Sequence, residues 1–192
     1  RKEQERKAQL VIQNLQATIN TLLEQIGELM TDSEANREAI AILKQIYGDE
    51  HPEIAACYNN MGVMLFETGD YAQAEVYFRE VLEIERSIYG NEHPKVAICL
   101  NNLAGSYLKE GDYPMAEELY SEAGEILRKV YGDEHPQYAI SLNNLSVMYK
   151  KQGDCEKSIE CCSEALRITQ KKLPEGHWLT AIFMSNLADC LT

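Results

Sequence analysis

The residue types in this chain able to do chemistry are four histidines, six cysteines, a few clustered lysines and a series of asparagine pairs. His51, His93, His135 and His177 recur every 42 residues, a regularity that suggests a row of metal ligands. Zinc ligands must converge to within about 2.1 Å of one ion. Packed helices lie about 8–10 Å apart, so copies of one residue in successive units do not converge. The histidines are read instead as helix-start residues, and no metal or cofactor is expected. Cys57 and Cys99 share one slot 42 residues apart, which suits a small buried packer better than a reactive thiol. No nucleophile, base and orienter set stands out, and there is no Gly-rich phosphate loop. Enzyme activity is therefore not expected. The asparagines are more promising. Asn59-Asn60, Asn101-Asn102 and Asn143-Asn144 repeat at the same spacing, followed by Ser185-Asn186. An Asn side chain offers an acceptor and two donors, the set that grips an extended peptide backbone whatever its sequence.

These residues are positioned by a repeat. Tyr47-Gly48-Asp49-Glu50-His51-Pro52 returns as Tyr89-Gly90-Asn91-Glu92-His93-Pro94 and as Tyr131-Gly132-Asp133-Glu134-His135-Pro136. After each phrase, apolar residues fall on a helical stripe: Ile54, Tyr58, Met61, Leu65, then Val96, Leu100, Leu103, Tyr107, then Tyr138, Leu142, Leu145, Tyr149. Pro at the first helical position marks the start, and Gly69, Gly111 and Gly153 mark the end. A second amphipathic helix follows, with Ala74, Tyr77, Val81, Ile84, Ile88 and, one unit on, Ala116, Leu119, Ala123, Ile126, Val130. Each unit thus reads as helix, tight turn, helix, loop. The predicted class is all-α, an α-solenoid of antiparallel helix pairs with repeats at about 53–94, 95–136 and 137–178 and a partial repeat at 179–192, within an array spanning 31–192.

Residues 1–30 differ. Ile12, Leu15, Ile19, Leu22, Ile26 and Leu29 form a coiled-coil seam, and Thr31-Asp32-Ser33-Glu34 reads as a capping box opening the next helix. A long helix over residues 3 to 29 is predicted, either the end of a coiled coil or the first helix of a degenerate repeat. A start at Arg1 and an end inside a helical pattern are expected of a piece cut from a longer protein.

The formal net charge is −13. A field of that sign repels phosphate backbones and anionic lipid, so nucleic acid and membrane surfaces are not expected partners. No apolar stretch reaches the roughly 20 residues needed to cross a bilayer.

The motifs resemble the tetratricopeptide repeat, in its 42-residue, kinesin light chain-like version. The matching residues are Asn101-Asn102-Leu103-Ala104, Gly111-Asp112-Tyr113 and Ala116-Glu117, with similar runs in the neighbouring repeats. The resemblance implies a right-handed superhelix whose first helices line a concave wall. It implies an adaptor or scaffold, cytoplasmic and cytoskeleton-associated, that holds a linear peptide segment of a protein partner. On that wall it places Asn59, Asn60, Val63, Phe66, Ile98, Asn101, Asn102, Leu108, Lys109, Asn143, Asn144, Val147, Lys150 and Lys151 as peptide-binding residues. The second Asn of each pair is the one implied to touch ligand, with the alternative that one Asn of each pair bonds the adjacent repeat and stays buried. Lys109, Lys150 and Lys151 suggest a ligand with apolar and acidic residues, or simply solvated lysines at a helix end. No cation stands beside the asparagines, so capture of a free C-terminal carboxylate is not expected. The competing reading is a structural module of a cytoskeletal or ciliary complex, dimerising or docking through residues 1–30.

Overall fold

The computed structural model describes residues 33–191, and the chain divides into two compact units between Asp49 and Glu50. Among the described residues there are eight helices and no strand. The helix expected over residues 3 to 29, its seam, and the Thr31-Asp32 part of the capping box lie outside the described residues.

The described part of the first unit is helix α1, Ser33–Tyr47, which buries Ala39, Ile40 and Leu43 and leaves Ile42 and Ile46 exposed. It ends at Gly48, whose N–H donates to the Lys44 carbonyl, and Lys44 pairs with Asp49 at 3.1 Å.

The second unit holds α2 Pro52–Thr68, α3 Tyr71–Tyr89, α4 Pro94–Glu110, α5 Tyr113–Tyr131, α6 Pro136–Gln152, α7 Cys155–Lys172 and α8 Trp178–Leu191. The first helices α2, α4 and α6 open with His as N-cap and Pro just inside. The Nδ1 of His51, His93 and His135 accepts from the backbone N–H two residues on, at 3.3, 3.3 and 3.2 Å. His177 does the same for Leu179 at 3.2 Å. The regular spacing of the histidines is thus a spacing of helix caps. Each second helix is capped by the Asp after the turn glycine: Asp70, Asp112 and Asp154 accept from the third residue on. Gly69, at φ 89°, takes the left-handed conformation that ends α2 and that a side chain would resist.

Neighbouring helices pack in chain order, α2 on α3, α3 on α4, and so on to α8. The first helices α4, α6 and α8 also touch one another in sequence, whereas the second helices make no comparable contact. A stack tighter on one side curves toward that side, so the first helices form the inner wall of this unit.

Polar contacts recur with the repeat and hold its register. Tyr107 donates to Glu75 Oε1 at 2.8 Å and Tyr149 to Glu117 Oε1 at 2.7 Å, each joining a first helix to the preceding second helix. The loop glutamates reach the far end of the repeat that follows them: Glu50 accepts from Ser87, Glu92 from Lys129 at 2.7 Å, and Glu134 from Lys171. Lys171 and Lys172 hold the Glu134 carboxyl at about 2, below the usual carboxylate range. Most of the expected stripes are buried, although Leu65, Tyr77, Ile88, Tyr138, Leu142 and Leu145 are half-buried, and Val130, expected inside, is 45 % exposed near the end of α5.

Candidate functional site

The inner wall carries a series of amide bridges. Asn102 Nδ2 donates to Asn59 Oδ1 at 3.0 Å, Asn144 to Asn101 at 3.3 Å, and Asn186 to Asn143 at 2.8 Å. In each, the second Asn of one pair donates to the first Asn of the pair before it, so every bridge crosses a repeat boundary. Asn in a helix interior costs about 0.5 kcal/mol relative to Ala. Each bridge joins two such residues and a hydrogen bond returns about 1 kcal/mol, so the bridge roughly offsets the poor propensity of the pair. The alternative role for these asparagines is realised as to bonding the adjacent repeat, by both members of Asn101-Asn102 and of Asn143-Asn144, but not as to burial, since the bridging side chains are half-buried. It does not exhaust them. With Asn59 Oδ1 and Asn102 Nδ2 joined, the Asn59 amide N–H groups and the Asn102 Oδ1 have no partner among the described residues, which leaves donors and an acceptor side by side.

Two clefts flank the bridge between Asn59 and Asn102. Both run between α2 and α4, with α3 as the floor. One, of about 230 Å³, is lined by Val63, Phe66 and Glu67 of α2, Asn101, Asn102 and Gly105 of α4, and Phe78 beneath. Gly105 stands where the next repeat has Val147, and the missing side chain keeps the cleft open toward the Phe66 ring, 3.6 Å from a Cβ at that position. The other, of about 280 Å³, has Pro52, Ala55, Ala56 and Asn59 on one wall and Lys95, Ile98 and Cys99 on the other. Its floor is Val81 and Glu85. Phe78, Val81 and Glu85 share one face of α3, being three, then four residues apart.

The predicted residues distribute unevenly over this surface. Val63, Phe66, Asn101 and Asn102 converge on the first cleft, Asn59 and Ile98 on the second. Val63 and Ile98 are 41 % and 58 % exposed although apolar. Asn60 is exposed, and Asn143, Asn144 and Val147 are half-buried on α6. Leu108 lies in the core at 9 % exposure and presents little surface to a ligand. The lysines are largely engaged. Lys109 Nζ stands 5.7 Å from the Phe66 ring and 5.9 Å from that of Tyr71, and Lys150 pairs with Asp189 at 3.5 Å. Lys151 is exposed in the last turn of α6.

Phe78 and Glu85 were not anticipated as wall-facing residues, because both lie on a second helix, beside rather than on its apolar stripe of Ala74, Tyr77, Val81, Ile84 and Ile88. The signal lies in comparing repeats. The Glu85 slot holds Leu43, Leu127 and Thr169 in the other units, so one carboxylate breaks an otherwise uncharged column.

Cys57, Cys99 and Cys162 are buried packing residues, whereas Cys155 is exposed. Burial pushes the Cys99 thiol up to about 12, helped by the nearby Glu85 charge, and burial also raises Cys57, with Glu53 adding to it. Cys162 is fully buried, with its Sγ 3.2 Å from the Phe183 carbonyl. Trp178, which replaces the loop proline, stacks on His177 at 5.7 Å and is 63 % exposed. Among the described residues no cluster of three metal-ligating side chains occurs, and no helix is long and apolar enough to cross a membrane.

Comparison with known proteins matches this architecture. A sequence profile described as Tetratricopeptide repeat matches residues 34–87, 58–123 and 100–171. A search of curated proteins returned no match. Among solved structures, BtubC (BKLC) from P. vanneervenii superposes with a TM-score of 0.73 at 25 % identity, covering 88 % of this chain and 68 % of that one. A Podosopora anserina protein described as a kinesin light chain with nearly identical TPR-like repeats gives 0.71 at 21 % identity, covering 90 % and 85 %. The apo form of RapI gives 0.69 at 19 %, covering 82 % and 54 %. With the profile spanning most of the described helices and the helix pairs recurring every 42 residues, the chain belongs to the tetratricopeptide repeat family, in its 42-residue form.

Proposed function

We propose that this chain is a protein-interaction scaffold that holds an extended segment of a partner against the inner wall, as an adaptor of the kinesin light chain-like type. One observation carries the reading: a polar rung, Asn59 to Asn102, separates two open clefts with apolar walls. An extended chain presents a backbone N–H and C=O between side chains that alternate in direction. The free donors of Asn59 and the acceptor of Asn102 match that backbone, while the clefts receive side chains on either side. Exposed Val63 and Ile98 supply apolar surface for those anchors.

The acidic ligand suggested by Lys109, Lys150 and Lys151 finds less support. Lys150 already has Asp189, and Lys109 sits against two aromatic rings. The chain's own charge of −13 also works against an acidic partner.

The test is selection of a phage-displayed random peptide library on the full chain, followed by titration of the enriched peptides against the Asn59→Ala/Asn102→Ala double variant. Losing two backbone hydrogen bonds at about 1 kcal/mol each predicts roughly tenfold to thirtyfold weaker binding with the helical signal retained. Equal affinity for the folded double variant would remove the amide rung from the binding mechanism.

A further inference from the structure

Glu85 is an ionisable side chain placed where the fold does not ask for one. It is 8 % exposed, and its Oε2 is buried without a hydrogen-bond partner among the described residues. Unpaired buried carboxylates are costly, and a well-packed apolar residue in their place is usually at least as stable. The neighbouring repeats show that alternative. Leu127 occupies the slot at 5 % exposure, and Thr169 fills it with its hydroxyl bonded to the Ala165 carbonyl one turn back. The carboxylate is therefore not a requirement of helix packing at that column.

Its surroundings describe what would pair with it. Glu85 lies at the floor of the 280 Å³ cleft, beneath the walls formed by Ala55, Ala56 and Ile98. The cation at the rim, Lys95, acts on Glu85 through its charge but makes no hydrogen bond to the buried Oε2. Lys95 Nζ is held by the Tyr89 hydroxyl at 2.9 Å and lies 4.4 Å over the Tyr89 ring. A long aliphatic stem fits such walls and a cationic head fits such a floor. Lysine and arginine side chains have that build.

The geometry points to this cleft as an anchor site for one basic side chain of the bound segment, with Glu85 as its counter-ion and Asn59 at its edge. The inference rests on reading the inner wall as a groove for an extended chain, and it adds the chemistry of one ligand position. The overall charge of −13 favours approach of such a segment.

The test uses the full chain with methyl-labelled Ala and Ile, titrated by NMR with n-butylguanidinium, and with n-butanol as the neutral counterpart. Saturable shifts at Ala55, Ala56 and Ile98 are expected with the guanidinium, at least tenfold weaker in Glu85→Gln, and absent with butanol. Glu85→Leu, which copies the neighbouring repeat, is expected to raise the thermal midpoint and to abolish the response. Guanidinium shifts of equal strength in wild type and Glu85→Gln would overturn the assignment. So would butanol shifts matching those of the guanidinium, or a lowered midpoint in Glu85→Leu. None of these readouts needs a peptide, so an empty peptide selection leaves them intact and counts only against the groove.

Discussion

Phe78 on α3 lies so close to Gly62 on α2 that a Cβ at residue 62 would meet its ring at 2.6 Å. The ring is nearly buried and forms the floor of the cleft between Val63 and Gly105, so it has little room to retreat. Two repeats on, the same pair of slots holds Ser146 and Cys162, a larger residue facing a smaller one.

Gly62→Ala should therefore destabilise the array although alanine is the better helix former. The propensity gain is about 1 kcal/mol, against about 1–3 kcal/mol for overpacking a filled site. A net loss of up to about 2 kcal/mol is expected in urea denaturation. Combining it with Phe78→Leu should recover part of that loss, and strictly additive losses in the double-mutant cycle would show that the two residues do not compete for space.

His93 caps α4 through Nδ1 and stacks on Tyr89 with ring centroids 4.6 Å apart and 21° between planes. His93→Ala removes both contacts and should cost about 1–2 kcal/mol. His93→Asn restores a capping oxygen without the ring, and should cost about half as much. Chemical denaturation of the two variants separates cap from stack, and equal losses would mean the cap contributes nothing.

Glu134 gives the array an acid-sensitive contact. Its carboxyl is held at about 2 by the Lys171 and Lys172 ammonium groups, well below the roughly 4.3 of a free glutamate. A depressed carboxylate stabilises the fold above the unfolded pKa, and that contribution is lost as pH falls through the interval from about 4.3 to about 2. Wild type should exceed the Lys171→Ala/Lys172→Ala variant in thermal midpoint at neutral pH, with the gap closing across that interval. The groups are at the surface, so added salt should shrink the gap as well. A gap unchanged down to pH 2 would contradict the pairing.

Much of this architecture is readable from the chain because its signals are local. Pro52, Gly69 and their copies set helix ends through backbone geometry that needs no distant partner, and the apolar stripe follows from helical period alone. The amide bridges are less accessible. Aligning the chain with itself places Asn59 opposite Asn101, whereas the bonded partner is Asn102, an offset set by how adjacent helices lean on one another. The cleft floors are harder still, since Phe78 and Glu85 lie beside the stripe that helical period picks out on α3 and belong to a second helix, which the repeat places away from the wall. Leu108 shows the converse: a wall position by its place in the repeat, it is covered once the neighbouring helices pack. Only Glu85 advertises itself, through its disagreement with Leu127 in the same column.

A wall built from identical rungs has no landmarks. A strand bound as proposed along Asn59, Asn101 and Asn143 would meet the same donors and acceptors after slipping by one unit, so the amides alone would grip it without telling it where to stop. The departures from periodicity do that: a missing side chain at Gly105 and a lone carboxylate at Glu85 occur once each, and together they assign an origin to a surface that would otherwise be translationally degenerate.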